Sequence, residues 1–214
     1  MMKRLLEQDF VSHYNREPNL PVKCIINCKS TRAKEFALKD DATMIYESGV
    51  AKYSNPRKAN VAVINYESFI TSLPPRVKNT GSIGKDICDL IIYTDNNVHF
   101  LLNELTDTGT AYLYVHKTYG RKTEGKISKA RRQLKQSLEN LIKIPSINSY
   151  IQTFSTKRCC FFSRQENAPQ EISATKYFNL PNTLYIDGNH VKNPDIENMG
   201  FEYWEFYGSQ TYQL

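Results

Sequence analysis

The chain has 214 residues, of which 40% are hydrophobic, and its 28 Lys and Arg against 22 Asp and Glu give a formal net charge of +6. This composition is ordinary for a folded protein, and the mild positive charge allows a polyanionic partner without requiring one. No apolar run approaches the roughly 18 residues that span a bilayer, and Glu7, Gln8 and Asp9 interrupt the region where a signal peptide has its apolar core. We therefore expect a cytoplasmic protein with no membrane contact.

The cysteine pattern argues against a disulfide framework. There are five cysteines, and two of them, Cys159 and Cys160, are adjacent. Cys24 and Cys28 have no second Cys or His pair at metal-ligand spacing, and the four histidines are scattered. The pattern predicts reduced, buried thiols and no zinc site.

The first third of the chain is predicted to mix helix and strand. Residues 1–20 read as a short helix followed by a polar loop, and "VKCIINC" (22–28) has the content of a strand. A helix is expected from Thr31 to Glu47, with Ser30 as its cap and Gly49 as its stop. The next segment, 59–73, combines a β-rich start with a helical end.

A β-hairpin is predicted in "CDLIIYTDNNVHFLLNELTD", residues 88–107. Two apolar runs flank Asn96-Asn97, and asparagine tolerates the positive φ that a two-residue type I′ turn requires at both centres. The resulting register pairs Tyr93 with Phe100, Ile91 with Leu102, and Asp89 with Glu104. A four-residue loop would keep both acids on one face with a diagonal offset, whereas a three-residue loop would put them on opposite faces. With the two-residue turn, the two acids share one face of the sheet, with Cβ atoms about 4.5–5.5 Å apart.

Two carboxylates at this separation repel each other, so a compensating cation is expected. A divalent ion such as Mg²⁺ binds one or two carboxylates and keeps positions for water and phosphate oxygens. The alternative is a Lys or Arg from a neighbouring element that bridges Asp89 and Glu104 and leaves no space for an ion.

The clearest helix follows, in residues 124–144. Apolar residues recur at three- and four-residue steps along it, which is the period of one helix face: Ile127, Ala130, Leu134, Leu138 and Leu141. Pro145 prevents continuation of the helix. Strands are expected at 109–120, 157–164 and 182–188, and the aromatic tail from Gly200 reads as β structure or a packing arm. The order predicts an α/β fold with a mixed central β-sheet flanked by helices.

These motifs resemble those of the PD-(D/E)XK phosphodiesterase superfamily, over residues 59–164. "CDLIIY" supplies an Asp at the start of one hairpin strand, "FLLNELT" supplies a Glu late in the next, and "KARRQLKQS" is similar to the helix whose Gln packs alongside, here Gln133. The resemblance implies a restriction-endonuclease-like core, with Asp89 and Glu104 as catalytic residues and ligands of Mg²⁺ or Mn²⁺. It also implies nucleic acid as the substrate, DNA ahead of RNA.

One position departs from the family pattern. The family places a lysine two residues after the Glu, where this chain has Thr106 on the same sheet face. A relocated lysine is therefore needed for hydrolysis, and Lys117, Lys126 and Lys129 are the candidates. Glu67 is the candidate for a further carboxylate from the preceding helix, with an exposed, non-functional carboxylate as the alternative.

The helix at 124–144 also carries a run of basic residues, predicted to contact phosphates: Lys126, Arg131, Arg132 and Lys135, beside Lys129 at the catalytic position. The alternative is that these residues form only the solvated face of an amphipathic helix.

Three regions are expected: an N-terminal extension (1–58), a nuclease-like core (59–164) and a C-terminal aromatic β extension packed on the core (165–214). The first functional hypothesis is a metal-dependent nuclease, as a restriction or defence-type enzyme or as the nuclease subunit of an assembly. The second is an inactive copy that binds nucleic acid or scaffolds a complex, with the aromatic segment as an interface to a partner or a second copy. The third is an unrelated α/β binding domain.

Overall fold

The computed structural model describes residues 1–78, 83–107, 113, 116–118, 121–164 and 188–214, with 116–118 and 121–123 described by their backbone alone. No helix in these ranges is long and apolar enough to cross a membrane.

The described strands are β1 (Cys28–Thr31), β2 (Glu35–Leu38), β3 (Ile45–Tyr46), β4 (Ala51–Ser54), β5 (Val61–Asn65), β6 (Leu90–Thr94), β7 (His99–Thr106), β8 (His116–Thr118), β9 (Arg121–Thr123), β10 (Thr156–Ser163), β11 (Asn189–His190), β12 (Glu202–Tyr207) and β13 (Thr211–Gln213). The described helices are α1 (Met2–Leu5), α2 (Val11–Tyr14), α3 (Tyr66–Ser72), α4 (Pro75–Lys78), α5 (Lys126–Ile142), α6 (Pro145–Ile151) and α7 (Pro194–Glu197), with a π-helical turn, Leu6–Phe10, joining α1 to α2.

A seven-stranded mixed sheet forms the centre of the fold, in the order β1-β5-β6-β7-β10-β12-β11. Neighbouring strands from β1 to β7 are antiparallel, whereas β10 runs parallel to β7, and β12 runs parallel to β10. The parallel step from β7 to β10 requires a crossover, which α5 and α6 lie within. The predicted α/β fold with a mixed central sheet flanked by helices is confirmed.

Both faces of the central sheet are buried. Ile91 on β6 packs in a core formed with the helices, whereas its neighbour Ile92 packs in a second core with the strands of a four-stranded sheet, β13-β4-β2-β3. Adjacent residues of a strand point to opposite faces. This double burial explains why "LIIYT" is a continuous apolar run rather than an alternating one.

Helix α5 covers one face of the central sheet, and all five residues of its predicted apolar stripe are buried. A second buried row beside this stripe is polar and consists of Gln133, Ser137 and Asn140. Pro145 ends the continuation of α5 and begins α6, where its missing N–H and fixed φ suit the first helical turn.

The predicted helix from Thr31 to Glu47 is wrong. The segment instead forms β2 and β3, and β2 pairs antiparallel with β4, where the Phe36 and Tyr53 rings stack with centroids 5.0 Å apart. Tertiary pairing and burial of Phe36 and Leu38 override the helix propensity of the Ala, Glu, Lys and Leu in the segment.

The remaining strand predictions have mixed outcomes. The predicted strand at 22–28 is wrong except for its last residue, because β1 begins at Cys28. The predicted strand at 157–164 is confirmed as β10, and the aromatic tail forms β12 and β13. The strand predicted at 182–188 lies outside the described residues except for Gly188. Of the strand predicted at 109–120, the described residues are Leu113, which lies in a turn, and 116–118, which form β8.

The aromatic residues of the C-terminal segment are largely used within the chain's own core. Tyr203, Phe206, Tyr207 and Tyr212 are buried, and Trp204 is half-buried with the Arg158 guanidinium 4.2 Å from its ring centroid. Most of the aromatic side chains that the sequence suggested as an interface are therefore packed inside the chain's own core.

Candidate metal centre

The β6–β7 hairpin has the predicted register. Tyr93 pairs with Phe100 and Leu90 pairs with Asn103, which places Asp89 opposite Glu104 one position beyond the ladder. The predicted type I′ turn is wrong, because Asn97 has a positive φ of 54° but Asn96 does not. A four-residue connection, 95–98, joins the strands and preserves the same register.

Asp89 is bonded to both elements that carry the neighbouring acids. Its Oδ2 accepts a hydrogen bond from the Leu105 N–H at 2.7 Å, next to Glu104 on β7. Its backbone oxygen accepts from the N–H groups of Tyr66, at 2.8 Å, and Glu67, at 3.3 Å, in the first turn of α3. These bonds fix the position of Asp89 relative to Glu67 and to Glu104.

Three carboxylates come together at this point. One oxygen from each of Asp40, Glu67 and Asp89 lies within 4.8 Å of the others. Asn65 supports two of them: its Oδ1 caps α3 by accepting from Ser68 N at 2.7 Å, and its side chain hydrogen-bonds Asp40. Glu67, predicted as a further carboxylate, is therefore placed beside Asp89.

Glu104 lies outside that set of three, but the charges of all three residues act on it, and we call the four residues the acid cluster (Asp40, Glu67, Asp89 and Glu104). Its side chain is only 9% exposed, and its Oε2 is buried without a hydrogen-bond partner among the described residues. Burial, followed by the charge of Asp89, raises the pKa of Glu104, with smaller increases from Glu67 and Asp40. A buried acceptor with no donor is costly, so this oxygen needs a ligand or a proton.

The same forces act on Asp89. Burial and then the charge of Asp40 raise its pKa, while the hydrogen bond from Leu105 and the charge of Lys129 oppose the increase. Burial and Asp40 likewise raise the pKa of Glu67, and Lys129 again lowers it. Lys129 is thus the basic side chain whose field acts on Asp89, Glu67 and Glu104.

The acid cluster has the composition of a site for a hard divalent cation. Oxygens bound to Mg²⁺ at 2.0–2.1 Å lie at most about 4.2 Å apart, and those bound to Ca²⁺ at 2.3–2.6 Å at most about 5 Å apart. The oxygens of Asp40, Glu67 and Asp89, within 4.8 Å of one another, fall inside the Ca²⁺ limit, and they must move closer together to share one octahedral Mg²⁺. The alternative, a basic residue clamping Asp89 to Glu104, is not seen as a salt bridge among the described residues.

Part of the acid cluster lies at the protein surface. Asp40 and Glu67 are exposed and border an open depression of about 320 Å³, whose other lining residues are Asn65, Ser68, Thr71 and Ser72. Asp89 and Glu104 do not line this depression and are buried. The acid cluster therefore has two solvent-exposed and two buried carboxylates.

The three candidates for the relocated lysine, Lys117, Lys126 and Lys129, have different environments in the structure. Lys129 is exposed on the first turn of α5, near enough to the acid cluster for its charge to lower the pKa of three carboxyls. Lys126 is half-buried at the start of the same helix, and Lys117 lies on β8, where only the backbone is described. Thr106, at the lysine position of the family, is buried and engaged in interactions of its own.

Gln133 lies on the buried face of α5, as the resemblance implies. Its Nε2 donates to the Ile87 oxygen at 2.8 Å, two residues before Asp89. Its Oε1 is buried and has no hydrogen-bond partner among the described residues. Gln133 therefore contacts the backbone that leads to the site rather than a carboxylate of the acid cluster.

The basic residues farther along α5 are engaged in ion pairs within the chain. Each pairs with a carboxylate 2.8–2.9 Å away: Arg131 with Glu205, Arg132 with Asp86, and Lys135 with Asp195. Arg132 pairs with Glu124 as well. In contrast, Lys126 and Lys129 form no salt bridge with another described residue. Asp107, on the far side of Glu104, pairs with Arg164 at 3.0 Å on the surface.

Asp40 is the residue of the acid cluster that sequence reasoning missed. It follows β2 in a tight connection, where the adjacent Asp41 accepts from Thr43 N and Met44 N. The "DD" after a short apolar run is a turn signal, since Asp side chains hydrogen-bond the backbone two or three residues on. Reading that signal instead of helix propensity would have ended the preceding element at Leu38.

Comparisons with known proteins add no relationship. The chain matches no protein-family model, no curated protein and no solved structure. The acid cluster and its surroundings are therefore the features that indicate a function.

Proposed function

We propose that this protein is a divalent-cation-dependent nuclease of the PD-(D/E)XK type that hydrolyses phosphodiester bonds in DNA, with RNA as the second candidate substrate. The single observation that supports it most is the Glu104 carboxylate, buried opposite Asp89 with an oxygen that has no hydrogen-bond donor among the described residues. The strand order β5-β6-β7 followed by α5 and β10 also agrees with the resemblance.

In this proposal the chain's own residues have separate roles. Asp89 and Glu104 would hold Mg²⁺ or Mn²⁺ from the buried side, and Glu67 and Asp40 from the solvent-exposed side. When bound, such an ion would supply a water ligand of lowered pKa and positive charge to stabilise the scissile phosphate. Lys129, whose charge already acts on the acid cluster, takes the position of the relocated lysine and orients the phosphate or the attacking water.

The experiment is a cleavage assay with Mn²⁺ on plasmid DNA, single-stranded DNA and RNA, comparing the wild type with Glu104→Ala. Loss of an outer-shell partner of a metal ligand typically costs about 10–100-fold, so we expect loss of a direct ligand to reduce the rate at least about 100-fold. Glu47→Gln, an exposed carboxylate outside the acid cluster, is the matched control and should cleave as the wild type does. Equal cleavage by wild type and Glu104→Ala would refute the proposal.

A second candidate, an inactive nuclease-like subunit that binds nucleic acid or scaffolds a complex, is favoured by Thr106. Threonine carries no charge and cannot replace the family's lysine. This candidate predicts binding to nucleic acid or a protein partner, with no cleavage of any of the three substrates in Mn²⁺. A homodimer or partner interface on the C-terminal segment would centre on the half-buried Trp204.

The ion pairs on α5 predict which lysines contact phosphate. We expect Lys126→Ala/Lys129→Ala to weaken DNA binding and to reduce the slope of log K against log salt by about two, because each lost phosphate contact removes about one released counterion. Lys135→Ala, which removes a lysine already paired with Asp195, is the control and should change the slope less. Fluorescence anisotropy with a labelled duplex at several salt concentrations, in EDTA, measures both. A larger effect from Lys135→Ala would contradict this assignment.

A further inference from the structure

The segment that leads into Asp89 has no regular secondary structure and is held by α5. Three buried side chains of α5 bind its backbone: Gln133 Nε2 donates to Ile87 O at 2.8 Å, Ser137 Oγ accepts from Cys88 N at 2.8 Å, and Asn140 Nδ2 donates to Ile83 O at 2.6 Å. Residues spaced by four and three positions lie on one face of a helix. The buried polar row of α5 (Gln133, Ser137 and Asn140) therefore forms hydrogen bonds along the backbone of residues 83–88.

Ser137 makes the contact nearest to the acid cluster. Its hydroxyl accepts from the N–H of Cys88, the residue directly before Asp89, and it is also a hydrogen-bond partner of the Cys88 thiol. Ser137 and Cys88 are both fully buried, so bulk solvent does not reach the Cys88 N–H. The Cys88 N–H therefore depends on the Ser137 hydroxyl for its hydrogen bond.

Hydrogen bonds connect Asp89 to the segments that carry Glu67 and Glu104. Its backbone oxygen binds the N–H groups of Tyr66 and Glu67, and its Oδ2 binds the Leu105 N–H beside Glu104. A shift of the Cys88–Asp89 backbone would therefore alter the distances among Asp89, Glu67 and Glu104 together.

We propose that Ser137 is a positioning residue that sets the geometry of the acid cluster for cation binding, an inference that rests on the proposed function. Ser137 touches neither cation nor substrate; it acts through the Cys88 N–H and the backbone of Asp89. Supports of this kind, one shell away from a metal, tune affinity by orienting the ligands. Replacing Ser137 with alanine leaves a buried donor unsatisfied, which the segment can relieve only by moving away from α5.

The test is Mn²⁺ binding to the full chain, followed by electron paramagnetic resonance of free Mn²⁺, for wild type, Ser137→Ala and Ile147→Val. Ile147→Val is the matched control. It shortens a fully buried apolar side chain of α6 and leaves the three hydrogen bonds from α5 to residues 83–88 in place. All are compared at a temperature where circular dichroism shows each to be folded. We expect Ser137→Ala to raise the Mn²⁺ dissociation constant about 10-fold and Ile147→Val to change it less than about twofold.

The outcomes separate this inference from the proposed function. Wild-type affinity in Ser137→Ala, or an equal loss in Ile147→Val, would overturn the positioning role while leaving the metal centre in place. Absence of Mn²⁺ binding by the wild type would overturn the proposed function and this inference with it. If Ser137→Ala does not fold, Ser137→Cys, which keeps a weaker sulfur acceptor at similar volume, replaces it. Its dissociation constant should rise at least about threefold, and unchanged affinity would overturn the positioning role.

Discussion

Replacing Glu104 with glutamine is expected to stabilise the metal-free protein at neutral pH, although the same change removes a proposed ligand. Glu104 is buried beside Asp89, and its Oε2 has no donor among the described residues. Folding must therefore either bury its charge or protonate it. Glutamine has nearly the same shape, carries no charge and presents an NH₂ group to the remaining carboxylates. We expect a gain of about 1–3 kcal/mol in the free energy of unfolding.

Urea unfolding at pH 7.5 in EDTA measures this gain. Glu47→Gln is again the matched control, and as an exposed substitution it should shift stability by no more than about 0.5 kcal/mol. Added Mn²⁺ should stabilise the wild type through its binding to the folded state and leave Glu104→Gln nearly unaffected. A Glu104→Gln variant less stable than the wild type in EDTA would show that Glu104 serves the fold rather than a ligand. Such trade-offs between stability and function are typical of binding sites.

The hairpin register, which the sequence predicted correctly, is encoded locally. Asp89 and Glu104 belong to one hairpin, so the apolar pattern of its two arms was sufficient for the register, and Tyr93 does pair with Phe100. The predicted register is correct although the predicted turn type is wrong, because a two-residue and a four-residue connection leave the same residues opposite each other. Glu67 became a candidate because the resemblance implies a carboxylate from the preceding helix, and α3 does place it beside Asp89.

The parts that were missed depend on contacts between distant segments. Asp40 reaches the acid cluster because β2 belongs to a second sheet that packs on the far face of the central sheet. Its strand character comes from pairing with β4, and helix propensity alone gives the opposite result. The positions of Lys129 and Ser137 depend likewise on how α5 lies across β7 and residues 83–88, which no spacing within the helix specifies.

The metal-free protein is expected to lose stability as the pH rises from about 5 to about 8. Burial and neighbouring charge raise the pKa of both Asp89 and Glu104 above their unfolded values, so the folded state holds protons that the unfolded state releases. The stability that this proton binding contributes is fully present below the unfolded pKa, near 4, and is lost as the pH rises through the folded pKa values. Each group contributes at most about 1.4 kcal/mol per pH unit, and we expect a combined loss of about 2 kcal/mol or more.

Urea titrations in EDTA at several pH values between about 5 and about 8 measure how the free energy of unfolding changes with pH. The double variant Asp89→Asn/Glu104→Gln tests whether these two carboxyl groups cause the change. The variant removes both titrating groups, so its stability should change far less with pH than that of the wild type. Saturating Mn²⁺ should oppose the wild-type loss, because cation binding requires deprotonated carboxylates and strengthens as the pH rises. A wild-type stability that rises with pH in EDTA would mean that the two carboxylates ionise in the folded state at little cost. In that case the acid cluster would need no cation, and its buried carboxylates would not indicate a metal centre.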